Sequence, residues 1–518
     1  MAPSETETAP SPSPITSDDL QTVTRVLEAV VADRSVLAQL DDETCRRLVE
    51  AAGHVWAPDP KARRRMAKAL ARRRKAERIE REENVLHETG IRSLRRKTVF
   101  TTPNVFPPTG DEPEATALDG HDLHCYVCKR DYSEVHHFYD QLCPSCGDFN
   151  FQKRTELADL TDRVALLTGG RVKIGYQAGL KLLRCGAGLI VTTRFPRDAA
   201  QRYAAEPDFE QWGDRLEIFG LDLRHTPSVE AFCRRLLETR DRLDFIVNNA
   251  CQTVRRPPAF YEHMMAQEQA VLGTLPEHVQ QLVGSYEGLR TYHMLPEGDG
   301  ETAIVAQDTT DVAGLTHAAE LTQVPLLPDE HQPTDEQRHL FPVGRLDQDL
   351  QQIDLRETNS WRMLMADVPS VELLEVHLIN AVAPFLLNAR LKPLMLATPE
   401  RDKHVVNVSA VEGQFYRKSK TTRHPHTNMA KAALNMMTRT SAADYHQDGI
   451  HMNAVDTGWV TDEDPAAIAE RKTREHRFHP PLDIVDGAAR IVDPIIDGAK
   501  TGEHVWGQFL KDYKPTDW

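Results

Sequence analysis

The chain has 518 residues, 40% of them hydrophobic and 27% charged, and carries a net charge of −16. That length buries a large core, so one big domain with smaller attachments is expected. No apolar run reaches the ~18 residues of a membrane span. Residues 1–10 lack a secretory signal's basic start and apolar middle, so a cytoplasmic protein is expected, with no membrane partner. Charge is uneven: 15 Lys or Arg face 5 Glu between Lys61 and Lys97, a balance of +10 that leaves −26 for the rest. An acidic body argues against nucleic-acid binding by the main domain.

Residues 1–18, rich in Pro, Ser, Thr and acid, read as a disordered tail. A helical, partly basic region is expected over 19–118. Leu20, Val23, Val26, Leu27, Val30 and Val31 recur at three- and four-residue steps, and a second short helix fits residues 41–50. Lys61 to Glu83 are good helix formers with little apolar face. They suit either an electrostatic patch for nucleic acid or an acidic partner, or a solvated connecting helix; the absence of interleaved aromatics favours the second.

Cys125-Tyr-Val-Cys128 and Cys143-Pro-Ser-Cys146 define a module over 119–155. Each pair can place two thiolates on a tight turn, and fourteen residues separate the pairs, enough for a hairpin to join them around a tetrahedral Zn²⁺. Four sulfur ligands close such a site, so the metal is expected to be structural. The remaining cysteines, Cys45, Cys185, Cys233 and Cys251, are scattered, unlike a secreted disulfide framework.

From 156 to 518 strands and helices alternate, as an α/β doubly wound parallel sheet requires. The first strand, Val164 to Leu167, is wholly apolar, as a strand buried on both faces would be. The chain then turns on Gly169 and Gly170 and enters a helix with Ile174, Ala178, Leu182 and Leu183 on its apolar positions. This strand, glycine turn and helix make a place for dinucleotide phosphates. Further strands are expected at Gly188–Thr193, Arg215–Leu223, Leu243–Ala250, His404–Ser409 and Ile450–Val455, with helices at Val371–Leu391 and Asn428–Ala443. Residues 256–359 interrupt the alternation as an insertion far longer than an ordinary connection. It contains an apolar, strand-like piece, Thr302 to Ala306, and reads as a subdomain or lid beside the cleft, or equally as a partner-binding element.

Outside that insertion, residues from about 160 to 518 resemble the short-chain dehydrogenase/reductase family, and thus a Rossmann fold. Thr168, Gly169 and Gly175 match its Thr-Gly-x-x-x-Gly-x-Gly, with Lys173 at the middle glycine. Asp222 stands where the family places an aspartate near the adenine. Asn248-Asn249-Ala250 matches Asn-Asn-Ala-Gly, with Cys251 for the glycine. Asn380 matches the helix asparagine of a water chain, and Asn453 to Gly458 resembles Asn-x-x-x-Pro-Gly, with Thr457 for proline. The resemblance implies a cofactor site of Thr168, Gly169, Gly170, Arg171, Lys173, Ile174 and Gly175, joined by Arg194, Asp222, Leu223, Asn249, Ala250 and Lys431, and by Thr457, Gly458, Val460 and Thr461. Arg194 ends the second strand, where members preferring NAD carry an acid. Together with Arg171 and Lys173 it favours a 2′-phosphate, hence NADP(H) over NAD.

The family's acid/base tyrosine, with a lysine four residues later and a serine on the preceding strand, is matched less well. Tyr416 to Lys420 has the literal Tyr-x-x-x-Lys spacing. Yet Lys431, 22 residues before Asn453, stands at the family register, whereas Lys420 stands 33 before. The residue one turn ahead of Lys431 is Thr427. The serine position falls on Ser409 or on Ala410, a one-residue question that decides which face carries the hydroxyl. An alcohol such as Thr427 cannot replace a lysine-tuned phenol, so Tyr416, His426 or a residue of the insertion would have to complete the site. Cys251 reads as a small packing residue or as a nucleophile without a committed base. The implied function is NADP(H)-dependent carbonyl/alcohol chemistry with an atypical centre using Asn380, Ser409, Tyr416, Thr427 and Lys431. The alternative is a degenerate domain that binds NADP(H) as a sensor or scaffold for protein partners, through the zinc module or insertion. Family members commonly form dimers or tetramers, so a homo-oligomer is also implied.

Overall fold

The structure, a computed structural model, describes residues 15–57, 59–102, 116–117, 122–293, 317–331, 339–416 and 420–518. The chain divides into two compact units, Met1–Glu83 and Asn84–Trp518. The tail expected over 1–18 lies largely outside the described residues, although helix α1 already begins at Ser17.

The first unit holds α1 (Ser17–Ala32), α2 (Asp42–Trp56) and most of α3 (Pro60–His87). Thr16 and Asp19 cap α1 reciprocally: the Thr16 hydroxyl accepts from the Asp19 amide, and the Asp19 carboxylate accepts from the Thr16 amide. No residue of α1 or α2 is buried.

The second unit opens with α4 (Gly90–Arg96). Four two-residue strands follow: β1 (Thr116–Ala117), β2 (Leu123–His124), β3 (Asp131–Tyr132) and β4 (Glu134–Val135). Helix α5 (Pro144–Thr155) then leads into the main fold. There, β5 (Val164–Thr168), α6 (Lys173–Arg184), β6 (Gly188–Thr193), α7 (Pro196–Ala204), β7 (Leu216–Gly220), α8 (Thr226–Thr239) and β8 (Phe245–Asn248) alternate. The insertion contributes α9 (Pro258–Glu268) and α10 (Glu277–His293). After it come α11 (Ser370–His377), a π-helical turn (Leu378–Val382), α12 (Ala383–Met395), β9 (Lys403–Ser409), α13 (Pro425–Gln447), β10 (Ile450–Asp456), α14 (Ala466–His476), α15 (Ile484–Thr501), β11 (Phe509–Lys511) and β12 (Lys514–Thr516).

The main sheet has eight strands in the order β12-β11-β10-β9-β8-β5-β6-β7. Every neighbour pair is parallel except β11 with β12. Because β5 lies between β6 and β8, the chain reverses direction across the sheet there and leaves a crevice at the carboxyl ends of β5 and β8. Alternate strand residues feed two cores. Leu167, Val191, Val247, Val406 and Val408 pack with Leu182, Ile491 and Ile495 on one face. Leu166, Ile190, Ile246 and Val405 pack with Phe232, Leu387 and Leu391 on the other.

The insertion is partly built into these cores. Val279, Leu282 and Val283 of α10 join the first and Tyr286 the second, so this helix is a supporting element of the sheet rather than a lid. An alanine in place of Gly220, on the edge strand β7, would put its Cβ 2.3 Å from the Tyr286 ring. The strand expected at Thr302–Ala306 lies outside the described residues. The single expected helix over Val371–Leu391 is two helices joined by the π turn. Taken as one, Ser370–Met395 has the length and mean hydropathy of a membrane span, although Glu372 and Glu375 interrupt any wholly apolar run. Its Val376, Ala383, Leu387 and Leu391 are fully buried, as in a core helix covering a sheet.

At the amino ends of β9 and β10, His404 is buried with its Nε2 3.0 Å from Nδ1 of His504, and the His451 ring stacks on His504 at 4.6 Å. Burial, then the charges of His451 and His504, hold the His404 pKa well below its usual value. The unfolded chain takes up this proton below about pH 6.5 while the folded chain resists it, so the stability contributed by neutral His404 falls as pH drops through that window. Accordingly, the stability gap between wild type and His404→Asn should narrow from pH 7 to pH 5 in urea titrations. A constant gap would contradict this.

Candidate functional site

β5 ends at Thr168 and the chain turns through Gly169, at φ +70°. The Gly169 amide donates to Thr192 O at 2.8 Å, and a Cβ here would stand 2.9 Å from Ala250 Cα. Lys173 adopts φ +56°, the left-handed backbone that glycine takes without strain; a lysine keeps the glycine's conformation and adds a cation. Gly175 has no room for any side chain, since its Cβ would lie 2.2 Å from Gly169 O and 2.4 Å from Asn249 Nδ2. Asn249 Nδ2 donates to Thr168 O and Gly169 O at 3.0 and 3.2 Å, and the Ala250 amide donates to Thr168 Oγ1 at 3.0 Å. Turn and Asn249–Ala250 are thereby tied together at the crevice. Gly170 packs on Val191, and Ile174 is partly buried between the sheet core and the cysteine module.

The expected cations have partners of their own. Arg171 is buried, pairs with Asp198 at 2.7 Å and donates to Gln351 Oε1 at 3.2 Å. A carboxylate thus already holds the guanidinium expected to meet a 2′-phosphate. Arg194 is only partly buried; it donates to the Tyr261 hydroxyl at 2.7 Å and lies 4.6 Å from that ring. Asp222, expected near an adenine, has both carboxylate oxygens engaged by Arg224, which also pairs with Glu375 at 2.9 Å. Burial works to raise the Asp222 pKa, but Arg224 outweighs it and the carboxyl stays below its usual value. Leu223 is a core residue beside Val229 and Phe232.

Asn380 sits on the π turn, where its Oδ1 accepts from the Gln252 amide at 2.8 Å and its Nδ2 donates to Gln252 O at 3.1 Å. π turns of this kind occur frequently at functional sites. Lys431 is 4% exposed and donates from Nζ to Val408 O at 2.8 Å. Thr427, one turn earlier on α13, is buried with Oγ1 lacking a hydrogen-bond partner. The same holds for Ser409 Oγ and for both polar atoms of the Asn435 amide. Val406 and Val408 face the first core and Val405 the second, so Ser409 points toward the helices on the second face and Ala410 away from it. Tyr416 is 85% exposed on a surface loop, with 417–419 outside the described residues. His426 is buried, its Nε2 3.3 Å from Glu372 Oε1. His424, stacked on Trp361 at 3.8 Å, has its pKa pushed down to about 4 by burial. Cys251 is exposed.

Beyond β10, Gly458 turns at φ +74°. Thr457 follows Asp456, whose carboxylate accepts from the Val411 amide at 3.1 Å and the Gly458 amide at 3.2 Å. Burial pushes the Asp456 carboxyl up to about 6. Val460 is buried in the core of the cysteine module. Thr461 Oγ1 donates to Glu463 at 2.7 Å, and Thr253 Oγ1 to the other Glu463 oxygen at 3.2 Å, so one carboxylate joins the loops after β8 and β10. Sequence reasoning missed Asp198, Arg224, Glu372, Gln252 and Glu463. Of these, Asp198 had a local signal, an i,i+4 pair with Arg202 on α7.

The Sγ atoms of Cys125, Cys128, Cys143 and Cys146 all lie within 4.8 Å of one another, with Cys128 and Cys143 at 3.8 Å. Sulfurs ~2.3 Å from a tetrahedral zinc stand about 3.8 Å apart, so the donor set fits that ion.

Two family profiles match the chain: short chain dehydrogenase over residues 163–272, and enoyl-(acyl carrier protein) reductase over residues 355–482. With this sheet order and glycine turn, the chain belongs to the short-chain dehydrogenase/reductase family. The uncharacterized protein R665 of Acanthamoeba polyphaga mimivirus is 29% identical over 398 residues, covering 75% of this chain and 74% of that protein. Dehydrogenase/reductase SDR family member 13 of Bos taurus is 32% identical over 105 residues, 20% of this chain; the chain spans only 28% of that relative's length. Similar solved structures include the carbonyl reductase Sniffer of D. melanogaster (16% identity, 69% of this chain and 100% of that one, TM-score 0.40) and the Pseudomonas aeruginosa RhlG/NADP active-site complex (17%, 68% and 95%, 0.39).

Proposed function

We propose that the protein is an NADP(H)-dependent oxidoreductase acting on a carbonyl or alcohol through an atypical centre. The observation that carries this reading is the group of buried polar atoms without partners around Lys431: Thr427 Oγ1, Ser409 Oγ and the Asn435 amide. Buried polar atoms are normally hydrogen-bonded, and these four gathered on either side of one lysine suit a site that a ligand or water completes. The glycine turn, closed to any side chain at Gly175, fits a pyrophosphate against the amides that open α6. NADPH, when bound there, supplies a hydride to the substrate carbonyl carbon. Lys431 holds the ribose with donors beyond the one given to Val408 O, since an ammonium carries three. Asn380 fixes the Gln252 backbone and supports proton supply. With Thr427 in the tyrosine position, His426, one residue away in sequence on α13 and 3.3 Å from Glu372, is the group assigned the acid/base role in this reading.

Arg194 is the coenzyme-selecting cation in this reading, because Arg171 is already committed to Asp198, which also pairs with Arg202. Arg194→Ala should weaken NADPH binding about 10- to 100-fold, the worth of a charge-assisted contact, and leave NADH nearly unaffected. Calorimetry with both coenzymes checks this. The four cysteines hold a structural Zn²⁺, which metal analysis of purified protein tests. None of the eight cysteines is in a disulfide, which suits a reducing, cytoplasmic setting.

The second reading, a coenzyme-binding sensor or scaffold, is favoured by one observation: no phenol stands in the tyrosine position, and Tyr416 is out on the surface. Incubating protein with NADPH and a panel of aldehydes, ketones and quinones separates the two. Turnover supports the enzyme, whereas tight binding without turnover supports the sensor. Absence of heat with either nicotinamide coenzyme defeats both.

A further inference from the structure

The loop after β10, Thr457 to Thr461, is tied at its ends by Gly458 N–H to Asp456 and by Thr461 Oγ1 to Glu463. The helix that follows it, α14, buries no residue. At the loop's middle the support comes from the cysteine module. Tyr126, between Cys125 and Cys128, extends its hydroxyl to accept the Trp459 amide at 3.0 Å. Its ring is held in place by the Tyr126 amide donating to Gln141 O at 2.9 Å, with Lys129 4.6 Å above the ring. Behind it, Cys125, Cys143 and Leu142 share one apolar core with Val460, Leu482 and Val485. A Cβ on Gly458 would strike Leu482 Cδ1 at 2.4 Å, so the loop is pressed directly onto that core.

The same core reaches the other side of the coenzyme site. Ile174, on the first turn of α6, packs against it, and a Cβ on Gly487 would meet Ile174 at 2.9 Å and Val460 at 3.2 Å. Three further bonds lock the segment that returns from the loop: Gln141 Nε2 to His479 O at 2.8 Å, an Arg95 guanidinium N–H to Leu482 O at 3.0 Å, and Arg154 to Asp483 at 2.6 Å.

We propose that Tyr126 is a positioning residue for the coenzyme loop, and that metal held by Cys125, Cys128, Cys143 and Cys146 sets coenzyme affinity by fixing the turn that carries it. This rests on the reading of the crevice as an NADP(H) site. The ion touches neither coenzyme nor substrate. It holds Cys125 and Cys128 on one tight turn, and the Tyr126 hydroxyl sits where the Trp459 amide needs it only while that turn is closed.

Tyr126→Phe keeps the ring and the metal ligands and removes the acceptor. Hydrogen exchange in the coenzyme-free protein should show faster exchange at the Trp459 amide, while zinc content stays at one per chain and the melting temperature barely moves. NADPH dissociation should rise about fivefold, the worth of one neutral hydrogen bond. In any turnover assay the coenzyme KM should rise with kcat nearly unchanged. Zinc removed by a chelator should weaken NADPH binding by tenfold or more in protein still folded by circular dichroism, and one equivalent of ZnCl₂ should restore it. Unchanged exchange at Trp459 in Tyr126→Phe overturns the positioning role, as does metal-free folded protein with full affinity. Wild-type protein that binds neither coenzyme but shows the exchange difference would sink the coenzyme reading and leave the brace standing.

Discussion

Lys431→Met should lower any carbonyl turnover with NADPH by roughly 10²- to 10⁴-fold, the range for loss of a group that positions or feeds proton transfer. The side chain is buried on α13, donating to Val408 O one residue before Ser409. Methionine has similar length and keeps the packing. Two stability effects oppose each other: Val408 O loses its donor, at a cost of about 1–3 kcal/mol, while a buried ammonium no longer has to be desolvated. The melting temperature should therefore change little, and lost activity would report chemistry rather than unfolding. The comparison that makes this informative is Lys420→Met. Lys420 has the literal spacing from Tyr416 but lies on an exposed surface loop. That variant should keep turnover within about twofold of wild type, the small effect expected of a surface substitution away from the site. If the two effects were reversed, the Tyr416–Lys420 pair would be the working one and the assignment of α13 would fall.

Contiguous features were legible in the sequence, while many features joining distant residues were not. The apolar run of β5, the glycines after it and Asn249–Ala250 could be read because each signal spans a few residues and each has a local physical cause. The spacing of Lys431 from Asn453 could be counted because the two residues stand on regular elements, α13 and β10. Spacing could not say that Arg171 would meet Asp198 or that Arg224 would take both oxygens of Asp222, since any of several carboxylates could have been the partner. The serine question turned on strand alternation, which needs the sheet's register to resolve; Ser409 faces the helices and lies buried. The insertion misled most. Its length suggested a subdomain or lid, or equally a partner-binding element, yet four apolar residues of α10 complete the cores under β7. Val279, Leu282, Val283 and Tyr286 follow three- and four-residue steps, but nothing local to the sequence says which surface they cover.

Gly175→Ala should abolish NADPH binding, lowering affinity at least about 100-fold, and should destabilise the second unit by about 1–3 kcal/mol, the usual cost of overpacking. The added methyl has nowhere to go: Gly169 O would stand 2.2 Å away and Asn249 Nδ2 2.4 Å away, and both are fixed by the bonds that join β5 to β8. Relief requires the turn to open or Asn249 to leave Gly169 O, and either change moves the amides that would face a pyrophosphate. Lys173→Gly gives the contrasting result. Its φ of +56° costs a side-chain-bearing residue roughly 1–2 kcal/mol, so glycine should raise stability by about that amount. The same change removes a cation from the turn proposed to carry the phosphates and should weaken NADPH binding. Stability and affinity then move in opposite directions at Lys173 and together at Gly175. Calorimetry alongside thermal melts of the two variants reads both quantities. Parallel changes at both positions would mean that Lys173 serves the fold and not the coenzyme. Undiminished NADPH binding by Gly175→Ala would mean that the coenzyme does not lie on this turn.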